Sequence, residues 1–317
     1  MDHGPSLDDI TDPATLPCRQ IPSNGGILEM GNASSTNDFD GLVTLGASGL
    51  EVRRMGIGSD AGISARALEW AFEHGINYFY WGSRRRPGMK QAIRNLAPTH
   101  RDEMVIALQS YDYTGLMLER TFVQGLKSLA LDHADVFILG NRNGPVPDRV
   151  LEKAVRLKER GLTRHLCVSA HDRPAFRHHL DRKIFDLLML RYNAAHRGAE
   201  TDVFPLLDVA ERPGVICYNC TRWGHLFDPR WMPPGAKPPR PVDLYRYALS
   251  NPNIDLVLTA PQTSDQLEEN VKVLETEPVS AEEREWLETI GRHVRALSPS
   301  TNFDFIFQAF GPRRNKA

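Results

Sequence analysis

The sequence predicts a closed parallel (β/α)8 TIM barrel, and three observations carry that prediction. Eight short β-branched or apolar runs recur with amphipathic stretches between them, the alternation expected of strand–helix repeats. The 317 residues, 41% apolar with a formal net charge of −2, suffice for one large barrel. No glycine-rich phosphate fingerprint follows an early strand, which argues against an open dinucleotide-binding sheet, the second choice of architecture.

The expected strands lie at 52–58, 76–81, 104–111, 134–141, 165–170, 185–192, 214–220 and 254–259. Helices are read over Ala65–Glu73, Leu116–Leu129, Pro147–Glu159 and Asp265–Leu274, where apolar residues recur at three- and four-residue spacing. Residues 225–241 form a proline-rich connection after the seventh strand, too stiff for a helix and placed to serve as a lid. Residues 1–40 are polar and proline-dotted, lack the basic start and apolar core of a signal peptide, and read as a flexible leader to a single barrel over 41–317. The tail at 296–317 includes Asn302-Phe-Asp-Phe-Ile-Phe-Gln-Ala-Phe310, whose alternating aromatics suggest an extended segment burying one face, as a pocket wall or a subunit contact.

No apolar run reaches 18 residues, so no membrane partner is expected. The basic residues cluster in loops on a near-neutral chain and offer no extended positive surface for nucleic acid. Cys18, Cys167, Cys217 and Cys220 are too few and too irregular for a disulfide framework, which favours a reducing, cytoplasmic setting. Cys217 and Cys220 make a C-x-x-C on an expected strand, where an offset of three puts the side chains on opposite faces; neither redox chemistry nor zinc is expected of them. A homodimer is expected only because such assemblies are common.

Seven segments in order resemble the aldo-keto reductases. Leu45-Gly-Ala-Ser-Gly-Leu-Glu-Val52 with Met55-Gly-Ile-Gly58 is similar to that family's opening hairpin and first barrel strand, and Gly75-Ile-Asn-Tyr-Phe79 to its second. Arg101-Asp-Glu-Met-Val-Ile-Ala107, Ala134-Asp-Val-Phe-Ile-Leu139, Gly161-Leu-Thr-Arg-His-Leu-Cys-Val-Ser169 and Phe185-Asp-Leu-Leu-Met-Leu-Arg-Tyr-Asn193 resemble the third to sixth, and Gln266-Leu-Glu-Glu-Asn270 the start of the last barrel helix. The resemblance implies the barrel; activity resides in the site.

Carbonyl reduction in that family uses a tyrosine acid tuned by a lysine, an aspartate and a histidine. The resemblance places the aspartate at Tyr80, the lysine at Gln109, the histidine at Gly140 and the tyrosine at Arg85, so the tetrad is gone. The cofactor positions it implies are partly kept. Ser169, Tyr218 (where the family stacks an aromatic on the nicotinamide), Glu269 and Asn270 remain, while Ala170 and Met189 replace an asparagine and a glutamine. Thr259-Ala-Pro-Gln-Thr-Ser-Asp-Gln266 has no basic residue to hold a 2′-phosphate. The expectation is no cofactor or weak NAD(P)H binding, with barrel packing and helix termini as the plainer role for Tyr218, Glu269 and Asn270.

In a barrel of this kind, strand C-termini and the loops after them build the site. Those positions hold Ser59, Asp60, Tyr80, Trp81, Gln109, Tyr111, Asn141, Arg142, His171, Arg173, Tyr192, Asn193, His196, Thr221, Arg222, Trp223 and Thr259. Loop arginines at 84, 85, 86, 142, 173, 197 and 222 suggest a cationic mouth for a carboxylate or phosphate. His171, beside Asp172, is the best-placed group titrating near neutrality, as a general acid or base or merely packed where Asp172 starts a helix. His196 has the weaker case. Tyr80 serves as an acid if Arg222 or Arg142 lowers its pKa, and Arg222 anchors substrate or pairs with Glu200 or Asp60. Gln109, Asn141, Arg142, Trp81, Tyr192, Asn193, His196 and Trp223 complete the expected substrate wall. His171, His196 and Asp60 lack metal-ligand spacing, so no metal is expected.

Two further readings compete with this rebuilt acid/base enzyme. One is an NAD(P)H-dependent oxidoreductase with different proton donors; the other is a non-catalytic ligand-binding or scaffold protein.

Overall fold

A computed structural model describes residues 39–58, 62–82, 86–207 and 211–298. Most of the leader, the tail beyond Ser298, and Ser59, Asp60, Arg84 and Arg85 lie outside the described residues.

A hairpin of β1 (Leu42–Thr44) and β2 (Glu51–Arg53) precedes eight parallel strands. These are β3 (Met55–Ile57), β4 (Tyr78–Trp81), β5 (Val105–Ser110), β6 (Ala134–Leu139), β7 (Thr163–Ser169), β8 (Leu187–Arg191), β9 (Gly214–Tyr218) and β10 (Leu256–Thr259). Each pairs with its neighbour in sequence, and β10 pairs with β3 to close the barrel. Between them run α1 (Ala65–Glu73), α2 (Pro87–His100), α3 (Leu118–Leu129), α4 (Asp148–Glu159), α5 (Ala175–Asp181), α6 (Ala199–Asp202), α7 (Pro241–Leu249) and α8 (Ser264–Val271), with α9 (Ala281–Leu297) last.

Two apolar clusters follow from the period-two alternation of the strands. The inner one joins Tyr78, Tyr80, Val105, Ala107, Val136, Ile138, Cys167, Leu187, Met189, Ile216, Leu256 and Leu258 to hairpin residues Leu45, Leu50 and Val52, so the hairpin plugs one end. Gly46 makes that docking feasible: it holds φ +55°, and a Cβ there would lie 2.6 Å from Gly214 Cα. The outer cluster fills the layer between strands and helices.

Strand positions read from the sequence agree with those formed to within three residues at each end. The proline-rich stretch makes only a 3-10 turn, Pro229–Trp231, capped by the Asp228 carboxylate accepting from Arg230 N, before α7 starts at Pro241. Among the described residues, no helix is long and apolar enough to cross a membrane.

Candidate active site

At the C-terminal ends of the strands the inward-facing positions are Tyr80, Gln109, Gly140, Ser169, Arg191 and Tyr218, each two residues beyond an inner-cluster residue on the same strand. The same alternation overturns two expected wall residues. Trp81 is 4% exposed and belongs to the outer layer, its indole N–H directed to Arg86 O at 3.4 Å. Tyr192 also turns outward: it stacks on Tyr247 with centroids 5.8 Å apart and donates to Glu200 Oε1 at 2.6 Å. That bond and burial push its phenol up to about 12, burial first.

Tyr80, 7% exposed, is hydrogen-bonded to Tyr111, which also meets the Gln109 amide. Burial raises its phenol well above the ordinary value, with Tyr111 adding to the effect. The expected lowering by Arg142 or Arg222 does not occur, because neither guanidinium faces it. Gly140 is bare for a steric reason: a Cβ would overlap Gln109 Nε2 and lie 2.8 Å from Tyr111 Cε1. The space a histidine side chain would enter is therefore filled from β5. Gln109 Oε1 is a buried acceptor without a hydrogen-bond partner among the described residues.

On the opposite wall, Tyr218 Oη lies 2.9 Å from His171 Nδ1 and 3.2 Å from Ala170 O, with the two rings edge-to-face at 5.6 Å. One phenol proton faces two acceptors, so the tautomer of His171 decides which group donates. Asn143 fixes the histidine's backbone: its Oδ1 accepts from His171 N at 2.8 Å and Asp172 N at 3.0 Å. The cap expected of Asp172 is absent, since α5 follows Pro174 without a side-chain cap. Desolvation and then the Arg191 cation hold the His171 imidazole below its ordinary value. Burial raises the Tyr218 phenol, and Arg191 acts the other way.

Arg191 is the residue that sequence reading missed. It is half-buried, its side chain makes no hydrogen bond or ion pair among the described residues, and its charged neighbours include Arg173 and Arg295. Burial and those two cations lower its pKa, against a raising effect of Tyr218. The spacing Leu187, Met189, Arg191 along β8 is the signal that would have found it.

The other loop arginines have different work. Arg142, 3% exposed, donates to Asp112 O at 2.8 Å and lies 4.5 Å over the Tyr113 ring, holding the loop after β5. Arg173 pairs with Asp202 at 2.7 Å, and Arg197 with Glu200 and Glu288. Arg222, expected at the mouth, is fully buried. Its Nε donates to Ser298 Oγ at 3.0 Å, one Nη to Ser298 O at 3.1 Å and the other to His196 Nε2, so its partner is not Glu200. Burial, Arg191 and Arg295 bring its pKa down to about 10.

Because a guanidinium only donates, His196 Nε2 must accept and the ring is neutral. Burial first, then Arg191 and Arg222, lower its pKa to about 3, which removes it as an acid or base near neutrality. Asn193 is spent on structure as well: its Oδ1 accepts from Ala195 N and His196 N, and its amide donates to Asn219 O at 2.8 Å. Asn141, at φ 53°, donates its backbone N–H to Ser169 Oγ at 3.0 Å and stays on the rim. Trp223 N donates to Asn219 Oδ1 at 2.8 Å, leaving its ring half-buried beside His225.

Of the cofactor positions, Asn270 donates to Thr259 Oγ1 at 2.9 Å and Glu269 pairs with Lys272 at 2.7 Å. Ser169 Oγ accepts from Asn141 N at 3.0 Å and donates to no other side chain or backbone oxygen among the described residues. Among the described residues no group of three or more His, Cys, Asp or Glu is placed to hold a metal ion.

Solved aldo-keto reductases are similar to this chain in architecture. The chain superposes on aldo-keto reductase AKR11C1 from Bacillus halodurans at TM-score 0.66 and 21% identity, over 79% of this chain and 95% of that one. An aldo/keto reductase from Klebsiella pneumoniae, in complex with NADP and acetate, matches at TM-score 0.65 and 18% identity, over 78% and 94%. No protein-family profile and no curated protein sequence matches the chain. These likenesses show the fold alone: a closed (β/α)8 barrel like that of the aldo-keto reductases.

Proposed function

We propose that this is an enzyme that acts on a small anionic molecule at the barrel mouth, with Tyr218 and His171 transferring the proton and Arg191 holding the anion. The observation that carries the reading is the Arg191 cation, which has Arg173 and Arg295 near it and no ion-paired carboxylate among the described residues, beside a hydrogen-bonded phenol and imidazole. A half-buried cation with no counter-ion among the described residues costs stability, so a bound carboxylate or phosphate supplies the missing charge.

Charge appearing on substrate oxygen next to the anion is stabilised by the same guanidinium. The phenol can give its proton to that oxygen and recover one from His171 Nδ1 while the imidazole takes a proton from water at Nε2, the kind of step that contributes about 10²–10⁴-fold to rate. Gln109 Oε1 offers an acceptor for a substrate hydroxyl or amide, and Tyr111, Asn141 and Trp223 form the rim. The roles expected of Tyr80 and Arg222 pass to Tyr218 and Arg191, because burial and fixed partners occupy the first two.

A second reading rests on Ser169, whose hydroxyl proton meets no acceptor among the described residues and suits a carboxamide, and on Tyr218 at the family's stacking position. There the same proton pair would serve an NAD(P)H-dependent reduction. The two readings separate by calorimetric titration with NADPH and NADH. Both are tested by deuterium exchange of small 2-oxo carboxylates in D2O, followed by proton NMR. Exchange at the carbon next to the carbonyl that is lost in Tyr218→Phe and His171→Gln is expected; no exchange, together with no binding of any carboxylate or nicotinamide, would remove both.

A further inference from the structure

Cys217 and Cys220 lie on the same side of β9, contrary to the strand geometry expected of them. Their sulfurs are 3.5 Å apart, both side chains are buried in the outer layer, and Cys217 Sγ lies 3.1 Å from Tyr192 O. The reversal has a local cause. Cys217 faces outward on the strand, but β9 ends at Tyr218 and Asn219 takes φ 59°, turning the chain so that Cys220 comes back over Cys217. Asn219 then pins the turn: its O accepts from Arg222 N at 3.1 Å and its Oδ1 from Trp223 N at 2.8 Å.

We propose that Cys217 and Cys220 are a dithiol site that closes to an intramolecular disulfide on exposure to hydrogen peroxide, and that the mouth loop from Asn219 to Trp223 reports its state. One thiolate attacks the peroxide, breaking the O–O bond to give a sulfenic acid and water; the second sulfur displaces the hydroxyl as another water and forms the S–S bond. Two thiol protons and two electrons leave, and peroxide accepts both electrons.

Closure shortens the sulfur separation from 3.5 Å to roughly 2 Å, a movement that falls on the turn residue Cys220 rather than on Cys217 within the sheet. Both cysteines are under 2% exposed, so a peptide disulfide such as oxidised glutathione is excluded and the proposal requires an oxidant as small as water. Tyr218 sits between the two cysteines, and Arg222 and Trp223 ride on the same turn, so the cross-link is read at the mouth. The site does not depend on the catalytic reading above.

The test treats the native full-length chain with stoichiometric hydrogen peroxide and, separately, with oxidised glutathione, followed by intact mass, thiol titration and peptide mapping. Expected are the loss of two hydrogens and two thiols, a peptide cross-linked between 217 and 220, and no reaction with oxidised glutathione before unfolding. Cys217→Ser and Cys220→Ser should each abolish the cross-link, and a Trp223 fluorescence change seen in wild type should vanish in both. Oxidation of a single cysteine to sulfinic acid, a cross-link to another cysteine, or unchanged thiols would overturn the proposal, and the mapping does so on unmutated protein.

Discussion

Tyr218 Oη and His171 Nδ1 stand 2.9 Å apart across the gap between β9 and the loop after β7, joining two strands that are not neighbours in the barrel. The histidine is exposed, whereas the tyrosine packs into the inner cluster. The pair is therefore cheap to break from one side. His171→Gln should change stability by less than about 0.5 kcal/mol, while Tyr218→Phe, which strips a partner from Ala170 O, should cost about 1–2 kcal/mol. Urea unfolding of both variants checks the asymmetry.

Arg191→Gln should leave the protein as stable as wild type or more so, because it removes a cation lying near Arg173 and Arg295. The same change should weaken binding of phosphate or acetate at least about tenfold, in line with a charge-assisted contact of 1.5–3 kcal/mol. Calorimetry with each anion, beside thermal unfolding, reads both effects.

Stability should fall as the solution is acidified below the ordinary histidine range. His196 has a folded pKa of about 3, well under its unfolded value, so between those limits the unfolded chain binds a proton that the folded chain refuses. Stability is complete above that window and declines with falling pH, by up to about 1.4 kcal/mol per pH unit for this group. His196→Gln should flatten the slope between pH 6 and 4, roughly the span of the window.

Gly140 and Gln109 should be strongly coupled. Gly140→Ala alone should cost about 1–3 kcal/mol, since the added methyl overlaps the Gln109 amide. In Gln109→Ala the space is open, so the double variant should lose less than the sum of the two singles by at least about 1 kcal/mol. A double-mutant cycle in urea measures this directly. It also explains why restoring a histidine at 140 would require changing 109 first.

The barrel was legible because alternation and spacing are local properties: Val105–Ser110 and Ala134–Leu139 announce themselves as strands before any contact is known. Site positions were legible only as far as the strand period was applied. It places Tyr80 and Gln109 inward, and applied with equal care it sends Trp81 and Tyr192 outward and brings Arg191 in. Past the strand ends the period fails. Asn219, Arg222 and Trp223 all hold positive φ, so Cys220 returns over Cys217 and Arg222 plunges toward Ser298 and His196. No sequence period encodes such turns. Asn143, which holds His171 in place through two backbone N–H groups, was equally silent, for its role depends on a loop from a neighbouring strand.

The most direct test of the anion-holding acid/base pair is the NMR titration of the His171 imidazole in wild type and Arg191→Gln, with and without acetate. The account predicts a pKa below the ordinary value in wild type, a rise on adding acetate, and a rise without acetate in Arg191→Gln that acetate no longer alters. An imidazole that titrates identically in both proteins and ignores acetate would contradict it.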